Sequence, residues 1–108
     1  MVIIETSIFT RRINSLMTDE SYRKLQEILV NAPDTGKIIQ GSGGIRKIRW
    51  TGSGRGKRGG SRVIYYWATN NAQIYMLFAY AKNECSDLTQ EQLSTLKKLV
   101  ELEFKNGQ

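Results

Sequence analysis

The 108-residue chain has no histidine, one cysteine (Cys85) and one proline (Pro33). A lone cysteine excludes an internal disulfide, and without histidine a zinc or other transition-metal site has almost no ligands to draw on. Chemistry in such a chain falls to Lys, Arg, Tyr, Glu, Asp or Ser, and neither a metal nor a cofactor is expected. No apolar run approaches the roughly 20 residues that span a bilayer. The N-terminus, with Glu5 and no basic stretch ahead of an apolar one, is unlike a signal peptide, so a soluble cytoplasmic protein with no membrane partner is expected. The most informative absence is acid. Between Thr35 and Asn83 the chain carries nine Lys or Arg residues and no Asp or Glu, while the flanks hold seven basic and all ten acidic residues. The middle is therefore +9 and the flanks −3, a polarisation that the net charge of +6 understates. A one-signed field favours a polyanion, and nucleic acid is the commonest one in a cell.

What is present reads as one domain over residues 1–108, large enough for a modest core. Residues 2–6 are β-branched and predict an opening strand, followed by a short helical stretch with Phe9, Ile13 and Leu16 at helical spacing. Thr18 is a plausible N-cap for the next helix, and Asp19 and Glu20 complement the positive end of its dipole. Met17 can staple against Tyr22. Tyr22, Leu25, Leu29 and Ala32 line one face until Pro33 stops the helix. Ile38 and Ile39 form a short apolar patch. Residues 45–50, 62–68 and 73–80 then read as strands, the last two joined by a tight turn at Asn70 and Asn71. Thr89 and Gln92 form a capping box, and Leu93, Leu96, Val100 and Phe104 give a terminal helix its stripe. The fold class is α+β: a small, mostly antiparallel sheet packed against an N-terminal helix pair and a C-terminal helix.

Alternation along IRKIRW puts Ile45, Lys47 and Arg49 on one face and Arg46, Ile48 and Trp50 on the other. With Ile48 and Trp50 in the core, Lys47 and Arg49 project together about 7 Å apart, close to the spacing of adjacent phosphates. A solvated sheet face is an equal reading of this strand alone. The following TGSGRGKRGGS segment contains the pattern G-x-G-x-x-G but runs into a strand instead of opening a helix, which rules out the dinucleotide fingerprint. Arg55, Lys57 and Arg58 on this glycine-rich loop suit a grip on a phosphodiester backbone.

The stretch GGIRKIRWTGSGRGKRGGSRVIYYW, followed by YAKNECSDLT, resembles the RelE/HigB-type toxins of bacterial toxin-antitoxin pairs, in a HigB-like branch. The likeness covers nearly the whole chain, since the P-x-x-G turn after the helix pair and the helix after SDLT fall in the family order. The resemblance implies a metal-independent, ribosome-dependent mRNA endonuclease acting in the A site. The partners it implies are a cognate antitoxin, the ribosome and mRNA, and the free chain is expected to be monomeric. Metal-free cleavage uses the ribose 2′-hydroxyl as internal nucleophile. The protein must then supply a base, cations for the phosphorane and a proton for the leaving 5′-oxygen. Without histidine, a lysine is the candidate base, and a crowd of like charges favours its neutral form.

By resemblance, Lys47, Arg49 and Arg62 match catalytic or phosphate-binding positions. An arginine and a tyrosine that family members often carry further on are replaced here by Asn83 and Thr89. Lys82, the nearest cation, and Tyr80, the nearest phenol, are the candidates to take over phosphate contact and stacking, with a core aromatic an equal reading of Tyr80. Glu84 is a candidate to orient Lys82 or Arg62 through an ion pair, or a simple surface bridge. Two other readings stay open: a gyrase-binding ParE-type toxin of the same fold, and a non-enzymatic RNA-binding module. Convergence of Lys47, Arg49, Arg62 and Lys82 on one cleft separates catalysis from mere binding.

Overall fold

The β-branched opening forms strand β1 (Val2–Glu5). Thr6 follows as an N-cap, its hydroxyl accepting from the Phe9 N–H at 3.1 Å, and starts helix α1 (Ser7–Leu16). Thr18 caps α2 (Asp19–Asn31) as its sequence position predicts, accepting from the Ser21 N–H. The helix stops at Ala32, since a proline disfavours helical backbone in the residue before it. This computed structural model describes residues 1–52 and 60–105, with only the backbone of Phe104 and Lys105.

Among the described residues four further strands follow: β2 (Lys37–Ile38), β3 (Ile45–Trp50), β4 (Ser61–Ala68) and β5 (Gln73–Ala81). They form a five-stranded sheet in the order β1-β5-β4-β3-β2, antiparallel except for β1, which runs parallel to β5. The expected α+β layout is present, with the β1 pairing as its parallel exception. Helix α3 (Gln90–Val100) begins with the predicted box: the Thr89 hydroxyl accepts from the Gln92 N–H at 3.0 Å, and the Gln92 side chain accepts from the Thr89 N–H at 2.9 Å. A wider π turn over Glu101–Lys105 continues it. Among the described residues no helix is long and apolar enough to cross a membrane.

The sheet is buried on both faces. Phe9, Ile13, Leu16, Leu25 and Leu29 of α1 and α2 pack on Ile48, Val63, Tyr65, Ile74 and Met76, with Trp50 at the margin. Leu93, Leu96, Leu99 and Val100 of α3 pack on Ile45, Ile64, Leu77 and Tyr80 on the other side. Ile48 and Trp50 thus face the helix pair as alternation predicts. Ile45 is also fully buried, because α3 covers that end of the face bearing Lys47 and Arg49. Each fully buried side chain of this size contributes about 1.5–3 kcal/mol.

Two local features position what lies on the uncovered end. Opposite Ile64 and Tyr65 the register slips by one residue: Ile64 faces Phe78 while Tyr65 faces Met76, so Leu77 is an extra residue on β5. This bulge lets Leu77 and Phe78 both face α3 and keeps Tyr80 on the face of Arg62. The Tyr65 hydroxyl donates to the Pro33 carbonyl and accepts from the Gly36 N–H, both at 2.8 Å, which fastens the turn before Lys37. Gly36 is required there, since a Cβ would stand 2.8 Å from the Tyr65 ring.

Candidate active site

Register brings the cations together. Lys37 lies opposite Lys47, Arg49 opposite Arg62, and Arg62 opposite Tyr80, so residues from four strands share one patch of sheet. Side chains directly opposite have Cβ atoms about 5 Å apart. They open on a cleft of about 480 Å³, lined by Lys37, Lys47, Arg49, Arg62 and Lys82 together with Thr35, Ile48 and Ser86. Like charges facing across a ladder destabilise a sheet, and a bound anion relieves that repulsion.

Within the cleft the cations differ. Arg62 is only 6% exposed and forms the floor, its Nη1 lying 3.4 Å from the Ser61 carbonyl. Lys47 donates from Nζ to Asp87 Oδ1 at 3.2 Å. The same oxygen accepts from the Leu88 N–H at 2.9 Å, which, ahead of the Lys47 charge, holds the Asp87 carboxyl below the usual carboxylate range. Lys82 is exposed on the turn after β5, and its backbone N–H donates to the Gly60 carbonyl at 3.1 Å. Among the described residues, Lys37, Arg49 and Lys82 make no ion pair. Unneutralised ammonium and guanidinium groups around one concavity can hold a phosphodiester and spread the charge of a phosphorane.

The four residues picked as catalytic candidates, Lys47, Arg49, Arg62 and Lys82, all line this cleft. Arg55, Lys57 and Arg58 lie outside the described residues. Of the two readings of Tyr80 the structure favours the core aromatic over the stacking residue: it is 2% exposed, packed in the α3 cluster with its ring centroid 6.1 Å from that of Phe78, and has no face free to stack on a base. Its hydroxyl is buried and, among the described residues, meets no partner in hydrogen-bond geometry, while the nearby Asp87 carboxylate disfavours its ionisation. Glu84 is held by Arg12, whose Nη2 donates to Oε1 at 2.9 Å. Thr89, at a position where family members often differ, has the local task of capping α3, and Asn83 is exposed on the turn.

Sequence reasoning left Lys37 without a role, and a two-residue strand gave no periodicity to place it. Asp87 likewise carries no local signal, since it meets Lys47 across 40 residues of sequence. Arg46 faces the other way and ties the 34–36 turn, donating to the carbonyls of Gly36 at 2.7 Å and Asp34 at 3.2 Å.

Burial, then the charges of Asp87 and Cys85, push the Tyr80 phenol up to about 12. Burial raises Tyr22, Tyr65 and Tyr75 as well. Because the folded chain disfavours phenolate more than the unfolded chain does, the stability these groups contribute is complete below the ordinary tyrosine value of 10.0. For Tyr80 it is lost as pH rises from there through about 12. In a Tyr66→Phe chain, which leaves these four tyrosines, absorbance of phenolate and circular dichroism, followed together in an alkaline titration, are expected to change in one step. Phenolate appearing well before unfolding is the contrary result.

The RelE family model, described as the RelE toxin of the RelE/RelB toxin-antitoxin system, matches residues 1–106. Two solved structures share the fold. The Escherichia coli RelBE toxin-antitoxin complex matches with a TM-score of 0.59 at 14% identity, covering 74% of this chain and 94% of that one. A double arginine-to-alanine mutant of E. coli RelE in the free state matches with a TM-score of 0.62 at 15% identity, covering 92% of this chain and 96% of that one.

Proposed function

The chain belongs to the RelE toxin family, and from that premise we propose that it is a metal-independent endonuclease that cuts translated mRNA in the ribosomal A site. The observation that carries this reading is the convergence of Lys47, Arg49, Arg62 and Lys82 on one cleft. A binding module needs only a cationic surface, whereas in-line attack needs cations and a proton acceptor around a single phosphate. In the proposed reaction the ribose 2′-oxygen attacks phosphorus as its proton passes to Lys82, which, like Lys37, makes no ion pair among the described residues. Arg62 and Arg49 hold the nonbridging oxygens while charge builds on them. Lys47 supplies the proton on which the 5′-oxygen leaves. The products are a 2′,3′-cyclic phosphate and a 5′-hydroxyl end, so no outside reactant enters.

The proposed partner in the cell is a cognate antitoxin, in keeping with the RelBE complex among the similar structures. The test is to map mRNA 5′ ends in cells making this chain alone, beside Arg62→Ala and Lys82→Ala. New ends within translated codons are expected with the native chain and are expected to vanish with both variants. Intact transcripts with the native chain would sink the reading.

A further inference from the structure

Lys82 stands one residue beyond β5, on a turn that a side chain could easily leave loose. The turn is instead tied from the other layer of the fold. Arg12, on α1, donates from Nε to the Ala79 carbonyl at 2.7 Å and from Nη2 to Glu84 Oε1 at 2.9 Å. The same Oε1 accepts from the Ala81 N–H at 2.9 Å, and the Glu84 N–H closes the turn on the Ala81 carbonyl at 3.0 Å. The guanidinium carbon sits 5.4 Å from the Phe78 ring centroid, which limits the plane in which the group can lie. Lys82 itself is pinned through its N–H to the Gly60 carbonyl.

We propose that Arg12 is a positioning residue of the cleft: with Glu84 it forms a clamp that locks the turn presenting Lys82 to the scissile phosphate. The inference rests on the nuclease reading above. A guanidinium suits the task because its planar fork reaches a carbonyl and a carboxylate at once, which an ammonium on a flexible stem does not. The clamp works by hydrogen-bond geometry. Glu84→Gln keeps an oxygen for both donors and is expected to hold the turn, whereas Glu84→Ala and Arg12→Lys release it.

The test measures cleavage of ribosome-bound mRNA by the purified full chain, with thermal melts and amide hydrogen exchange on the same samples. For Arg12→Lys, kcat is expected to fall about ten- to a hundredfold, the scale of a misplaced catalytic group, with KM little changed. Glu84→Ala should match it, Glu84→Gln should stay within about threefold of native, and the Arg12→Lys, Glu84→Ala double variant should fall no further than either single. Exchange at the Ala81 amide should quicken in Arg12→Lys while β4 amides hold. Native kcat in Arg12→Lys, multiplying losses in the double variant, unchanged Ala81 exchange, or a loss matched by unfolding at the assay temperature each overturns the clamp. An inactive native chain overturns the nuclease reading together with it, whereas active native protein with an indifferent Arg12→Lys overturns the clamp alone.

Discussion

Arg62→Ala is expected to lower the rate of the proposed mRNA cleavage by about a hundred- to a thousandfold, the loss seen when a fixed donor to a developing oxyanion is removed. Arg62 lies at the floor of the cleft, is nine-tenths buried and faces Arg49 across the ladder. A cation held that far from water interacts more strongly with a phosphorane than the exposed Arg49 or Lys37 does. The loss should fall on kcat more than on KM, because Arg49, Lys47 and the other cations still attract RNA. Arg62→Lys keeps charge without the fork and should recover only part of the rate. Single-turnover cleavage on programmed ribosomes measures the effect. A loss confined to KM, with kcat near native, would show Arg62 to be an attractor of RNA only.

The largest expected effect on stability is Gly60→Ala, with a loss of about 3 kcal/mol from combined overpacking and left-handed strain. Gly60 has φ +72°, and a Cβ there would stand 2.3 Å from the Trp50 carbonyl oxygen. The obstacle is backbone, which a rotamer change cannot clear. The residue sits where the segment joining β3 and β4 re-enters the sheet, and its carbonyl holds the Lys82 N–H, so a shift here also reaches the cleft. Urea denaturation reads the loss directly. A Gly60→Ala variant that is as stable as native would contradict the tight approach of these two strands.

Local physics carried much of this fold into the sequence. Thr18 and Thr89 announce two helix starts because a capping hydroxyl works within three residues, and Pro33 announces a stop for the same local reason. The acid-free middle foretold the cationic cleft, since charge of one sign needs no partner to be counted. What depended on distant residues stayed hidden. Nothing around Leu77 marks it as the extra residue of a bulge, so the choice between a stacking and a core Tyr80, open in the sequence, was settled only by the register. Lys37 enters the cleft through a two-residue strand, and Glu84 finds its arginine on α1, 72 residues away in sequence.

The separation of the two clusters by the sheet has a consequence for motion. Helix α3 rests on the smaller cluster, whereas α1, α2 and the strands share the larger one. Loosening α3 therefore uncovers Ile45, Ile64 and Tyr80 without breaking the packing of Phe9, Leu25 or Val63. Such packing lets the last helix loosen separately, at a free energy below that of global unfolding. Asp87 and Leu88 lie on the connection from Lys82 to that helix, and Leu88 packs in the α3 cluster, so the tether of Lys47 shares the packing of that helix. The cleft is thus at its most ordered only while α3 is closed.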